Sequence, residues 1–244
     1  MDYKLSDYVK RLRSNKNQLF RDLKPRDRIV KIIETYILPE ISYLGYSFVK
    51  TKMQLERNVG SFKQVVWFRT NRKNYKDEVV EFAIHLKVEN EEYSRIRKTY
   101  DYSPDYYYHN DNSNLAFIAE TVENLSEWEN QRDEYWYSLH LNDNIEIVNE
   151  IIKNIVSTTS TYLDENSDFE KSLAFRVNKF HGLDYMALLY IPDILILSKK
   201  LNRINIQKMI LEKYNTWTQT EEAKKDIEDG VEIYKTIEKI KNLL

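Results

Sequence analysis

His85, His140 and Glu81 are the side chains of this protein whose types suit acid–base or metal chemistry. His85 and Glu81 alternate with apolar residues in the run from Val80 to Val88, and His140 closes a second run, Tyr135 to Leu141. Period-two alternation puts such residues on the polar face of a strand. If the two strands lie close, an imidazole pair and a carboxylate share that face, with Arg57 as an anion-binding neighbour. Imidazoles titrate near neutral pH and ligate metals, so Arg57, Glu81, His85 and His140 form one candidate ligand site. The simpler reading is that the histidines pack or are solvated. No metal or cofactor is expected, and no residue is assigned a catalytic role.

Composition removes other chemistries. The 244-residue chain has no Cys, which excludes thiolate nucleophiles, disulfides and cysteine-held metal or iron–sulfur centres. Its four glycines, at positions 45, 60, 182 and 230, stand too far apart to cradle phosphate. Walker, dinucleotide and G-x-S-x-G patterns are therefore missing, as are H-E-x-x-H and EF-hand patterns.

A second candidate site is a contact surface. The chain has 19 tyrosines, and five of them, Tyr100, Tyr102, Tyr106, Tyr107 and Tyr108, fall in one polar stretch around Pro104. Tyrosine offers a large contact area at little entropic cost, so Tyr102, Tyr106, Tyr107 and Tyr108 are the candidate binding residues. Residues 89–146 around them hold fourteen Asp/Glu against four Lys/Arg, whereas residues 1–31 hold ten Lys/Arg against four Asp/Glu. Such a surface suits a basic protein partner. The formal net charge of only −2 gives no whole-chain case for nucleic acid. The basic arm, with Lys10, Arg11, Arg13 and Lys16, has no aromatic platform or recognition-helix context.

The elements that must position these residues are legible from periodicity. Ile29, Ile33, Tyr36, Ile37, Ile41 and Leu44 predict a helix from about residue 27 to 44, kinked at Pro39 and stopped at Gly45. Strands are expected at Val49 to Leu55, at Phe62 to Arg69 after a turn through Asn58 to Ser61, and at Val80 to Val88. Two more are expected at Leu115 to Val122 and Tyr135 to Leu141. Short links between the first three imply an antiparallel meander.

Helical periodicity takes over after Leu141. Capping spacing at Asp143/Glu146 and at Ser167/Glu170 marks two starts. Further helices are expected with a restart at Pro192, at Ile206 to Tyr214, and at Glu221 to Leu243. The reading is an α+β protein: an antiparallel sheet of about five strands flanked by an N-terminal helix, then a C-terminal helical subdomain. A single cooperative unit over 1–244 is expected, with a helix–sheet–helix core at 25–165 and the helical subdomain at 166–244.

Leu44-Gly45-Tyr46 at a helix end, a basic strand closing on Leu55-Glu56-Arg57, and Glu134-Tyr135-Trp136-Tyr137 feeding a helix make up a pattern. Over roughly residues 28–160 it resembles the bacterial domain-of-unknown-function family 4304. Leu55 stands where that family carries an aromatic residue. The resemblance implies an α+β fold and a regulatory or immunity-like binding role, and no activity.

The expected function is therefore non-enzymatic protein binding. An enzyme or small-ligand protein using the polar face of the sheet is the alternative, and nucleic-acid binding through the basic arm ranks third. The opening residues lack the apolar segment of a signal peptide, and the run Tyr185 to Leu197 is too short to cross a bilayer. A cytoplasmic location without a membrane partner is expected.

Overall fold

A computed structural model describes residues 17–75, 78–102, 136–180 and 188–244, together with the backbone of 116–121. The described residues group into two compact units. The first falls within Met1–Glu89 and Ile118–Asp164, the second within Asn90–Phe117 and Glu165–Leu244.

The first unit opens on helix α1 (Pro25–Ile32), which has Pro25 in its first turn, where a missing N–H costs nothing. Its apolar stripe, Ile29, Ile33, Ile37 and Ile41, is at most 1% exposed. The expected kink at Pro39 takes a specific form: a π-helical turn (Ile33–Ile37) precedes α2 (Leu38–Ile41). Pro39 has no N–H for the carbonyl of Thr35, so the helix widens just ahead of it. A 3-10 turn (Ser42–Leu44) ends on Gly45, whose φ of 83° is the left-handed stop expected there.

The strand expected over Val49 to Leu55 is instead a hairpin. Strand β1 (Ser47–Val49) pairs antiparallel with β2 (Gln54–Val59), Phe48 opposite Leu55. Lys52 and Met53 donate their N–H groups back to Val49 and Lys50, and Met53 takes a φ of 57°. Alternating Lys50 and Lys52 fit a solvated turn as well as a strand, so the period alone could not separate the two. Gly60 and Ser61 then form a two-residue loop into β3 (Phe62–Thr70), with Val59 opposite Phe62 and Gly60 at φ 58°.

Strand β3 pairs antiparallel with β4 (Glu81–Glu89), and β4 in turn with β6 (Tyr137–Ser138), two residues where the pattern suggested seven. Strand β5 (Ala116–Thr121) also neighbours β4. The expected antiparallel sheet is therefore present. One face carries Leu55, Val66, Phe68, Phe82, Ile84 and Leu86, all at most 1% exposed.

Helix α4 (Asn144–Asn154) is capped by Asp143, which accepts from the N–H groups of Ile145 and Glu146. It packs against the first π turn, and a second π turn (Ile155–Thr159) leads into α5 (Ser160–Glu165). Arg28, fully buried, fastens this layer. It donates to the Leu19 carbonyl at 2.8 Å, Gln18 Oε1 at 2.9 Å and Asn144 Oδ1 at 2.8 Å.

The second unit is mostly helical in its described residues, although the first two residues of β5, Ala116 and Phe117, also fall within it. Helix α3 (Glu91–Thr99) is capped by Asn90, which accepts from Tyr93 N–H. Helix α6 (Phe169–Lys179) is capped by Asp168, not by Ser167 as the spacing suggested. The carboxylate one residue later accepts from Lys171 N–H. Helix α7 (Ile191–Lys200) starts at the Pro192 turn and is buried from Ile191 to Ser198. It packs against α6, α8 (Ile204–Trp217) and α10 (Glu232–Leu243). The expected long last helix is two, because α9 (Glu221–Glu228) ends ahead of Gly230 at φ 75°.

Candidate functional site

Register settles where the polar-face candidates lie. His85 stands opposite Trp67 on β3, its ring 5.4 Å from the indole, and is 7% exposed. Glu81 is four residues away on the same strand, about 13 Å at the usual strand rise. Its carboxylate accepts from Asn71 Nδ2 at 2.7 Å and Ser138 Oγ at 3.1 Å. His140 follows β6 and meets the backbone of Val80, whose N–H lies 3.2 Å from Nδ1. His140 therefore sits at the Glu81 end of β4, away from His85.

Arg57 is on the opposite face altogether. It pairs with Gln64, which pairs with Val88, and Val88 is an odd number of residues from both His85 and Glu81. The four residues do not converge. A two-residue period identifies alternation, but only the register between strands says which alternating sets share a face. Among the described residues no group of three or more His, Asp or Glu could hold a metal ion.

Arg57 has a site of its own within the first unit. Its Nε donates to Gln64 Oε1 at 2.6 Å, Nη1 to the Leu44 carbonyl at 2.9 Å, and Nη2 to Asp164 Oδ1 at 2.6 Å. Gln64 Nε2 reaches the same Asp164 oxygen at 2.9 Å. The guanidinium carbon lies 4.7 Å from the centre of the Tyr46 ring. Burial pushes the Tyr46 hydroxyl above its ordinary pKa, against the opposing charge of Arg57.

Of the tyrosine candidates, Tyr102 is described, and Tyr106, Tyr107 and Tyr108 lie outside the described residues. Tyr102 is half-buried at the end of α3, its N–H donating to the Arg97 carbonyl at 3.2 Å and its ring centre 5.5 Å from the Arg97 guanidinium. Beneath it is a charge cluster that the sequence reading missed. Arg97 Nη2 lies 2.8 Å from both Asp193 oxygens, and Nε lies 3.0 Å from Oδ1. Tyr93 donates its hydroxyl to Asp193 Oδ1 at 2.6 Å, and Arg176 Nε is 3.7 Å from Oδ2.

All four residues are buried. Burial works against the charge on Arg97, but the Asp193 carboxylate outweighs it and raises the Arg97 pKa. Burial and the same carboxylate push the Tyr93 hydroxyl well above its ordinary value. Both shifts move Arg97 and Tyr93 further from neutrality, so the two hold their protons in the cluster. The signal for it was Asp193 in an otherwise apolar run, since a buried acid requires a partner.

The neighbouring residues are tied down as well. Asp101, at φ 50°, pairs with Lys239 at 2.6 Å, and Lys199 Nζ lies 5.9 Å from the centre of the buried Tyr100 ring. Residues 100–102 thus leave α3 with Tyr100 buried, Asp101 in an exposed ion pair and Tyr102 half-buried on Arg97. Compared with protein-family models, curated proteins and solved structures, the chain matches none of them.

Proposed function

We propose that the protein is a non-enzymatic, regulatory or immunity-like binding protein. Its contact surface is the acidic, tyrosine-bearing region 89–146, and its partner is a basic protein. The observation that carries the reading is the anchoring of Tyr102 on Arg97, itself clamped by buried Asp193. A contact segment that leaves a rigid root loses less conformational freedom on binding, which leaves more of its contact energy as affinity. The excess of acidic over basic residues in 89–146 supplies the charge that would steer a basic partner.

The proposal sets this role in the cytoplasm of a bacterium, in keeping with the absence of cysteine and the resemblance to family 4304. No helix in the described residues is long and apolar enough to cross a membrane.

Affinity capture from the native host, comparing the protein with its Tyr106→Ala/Tyr107→Ala/Tyr108→Ala variant, tests the surface. The expected outcome is a captured protein that is lost with the variant and whose affinity for the original falls as salt rises. Equal capture by both forms, or binding indifferent to salt, would overturn the assignment.

A further inference from the structure

We propose that Arg57 and Gln64 form a receptor for a small carboxylate, that Asp164 is its resident occupant, and that a free carboxylate competes for the place. The inference is independent of the tyrosine surface.

The receptor is made by the sheet. Arg57 and Gln64 are cross-strand partners on β2 and β3, on a face whose neighbours Leu55 and Val66 are fully buried. Gln64 is itself 0% exposed, and its Oε1 orients the guanidinium through Nε at 2.6 Å. The Leu44 carbonyl holds Nη1 at 2.9 Å, and the Tyr46 ring supports the guanidinium from 4.7 Å. None of these contacts includes Asp164. What they leave is a pair of donors, Arg57 Nη2 and Gln64 Nε2, converging on one oxygen at 2.6 and 2.9 Å. Two convergent N–H groups, one of them charged, are a carboxylate cradle.

The occupant is attached differently. The Asp164 side chain is 53% exposed against 11% for Arg57, so a buried cradle holds a surface group. Asp164 stands in the last turn of α5, a six-residue helix that follows a π turn. Such turns recur at functional sites. The buried Tyr46 hydroxyl lies beside the Arg57–Asp164 pair, with Ser160 and Arg57 as its polar neighbours.

Because the occupant is tethered, it competes at the effective concentration set by its own chain, and a free carboxylate must exceed this. Removing the tether's carboxylate should therefore expose the receptor's intrinsic affinity. The test is an acetate titration at constant ionic strength, balanced with chloride, followed by the NMR signal of Arg57 Nε–H and by the thermal midpoint. It compares the unmodified protein, Asp164→Ala, and the milder Asp164→Asn, which keeps the side-chain volume if the alanine variant folds poorly.

The expected result is acetate binding to Asp164→Ala roughly tenfold or more tighter than to the unmodified protein. Asp164→Asn should lie between them, and Asp164→Ala/Arg57→Met should not bind. If acetate binds the Asp164 variants no more tightly than the unmodified protein, or if chloride acts equally, the pair is a clamp and the proposal fails.

Discussion

Arg97 Nη2 lies 2.8 Å from each oxygen of the Asp193 carboxylate, across 96 residues of sequence. The pair joins α3 to the first turn of α7, and Tyr93 and Arg176 complete the carboxylate's surroundings. Both side chains are withdrawn from water, at 5% and 11% exposure, so breaking the pair from either side leaves a buried charge short of its closest partner.

Substituting one member should therefore be costly. Arg97→Met or Asp193→Asn is expected to lower unfolding stability by about 3–5 kcal/mol, the usual cost of breaking a buried pair from one side. Urea unfolding measures it, and a double-mutant cycle should show strong coupling. A loss under about 1 kcal/mol would place the pair among weak surface bridges.

The charged end of the sheet's other face predicts an acid limit. Glu89 receives Lys63 Nζ at 2.8 Å and Lys87 Nζ at 3.2 Å. Burial opposes its charge, but the Lys63 hydrogen bond and the Lys87 charge win, holding the carboxyl below its ordinary 4.5. A depressed folded pKa means stabilisation that is fully present above the unfolded pKa and is lost as pH falls through the folded one. Glu89→Gln should thus be less stable than the unmodified protein at neutral pH, and the gap should close below pH 4.5. Unfolding midpoints from pH 7 to pH 3 test the sign, and a gap that widens on acidification would contradict it.

Arg28 offers a test of buried polar satisfaction. Its neutral acceptors include Asn144 Oδ1 at 2.8 Å and the Leu19 carbonyl at 2.8 Å. Arg28→Met should cost about 3 kcal/mol, the upper range for orphaning buried polar groups. It should also hasten proteolytic cleavage within residues 17–24, which Arg28 pins. Unchanged cleavage would mean that other contacts hold this segment.

The β2–β3 loop isolates backbone strain from packing. A Cβ at Gly60 would meet nothing within 4 Å, yet φ is 58°. Gly60→Ala should cost about 1–2 kcal/mol through conformation alone, and Gly60→Asn less. Chemical denaturation with an unchanged slope would read this directly, and an alanine variant of full stability would refute it.

Much of the fold was written locally. The isoleucine stripe of the first helix, the Gly45 stop, the Gly60 turn, the alternation of β4 and the Asp143 cap each rest on neighbours within a few residues, so sequence alone determined them. Where two local structures share a pattern, it could not choose. Lys50 and Lys52 suit a turn or a strand, and the Asp229-Gly230 break is silent until φ is known.

The sites belonged to tertiary structure. His85, His140 and Glu81 looked like a set because each alternates correctly, but pairing register spreads them along β4 and puts Arg57 on the other face. Asp193 showed in sequence only as an acid among apolar residues. Its partner Arg97, and the Asp164 that occupies Arg57, were chosen by packing between segments far apart in the chain. Charge pairs in a core follow three-dimensional proximity and desolvation, and neither leaves a fixed spacing in sequence.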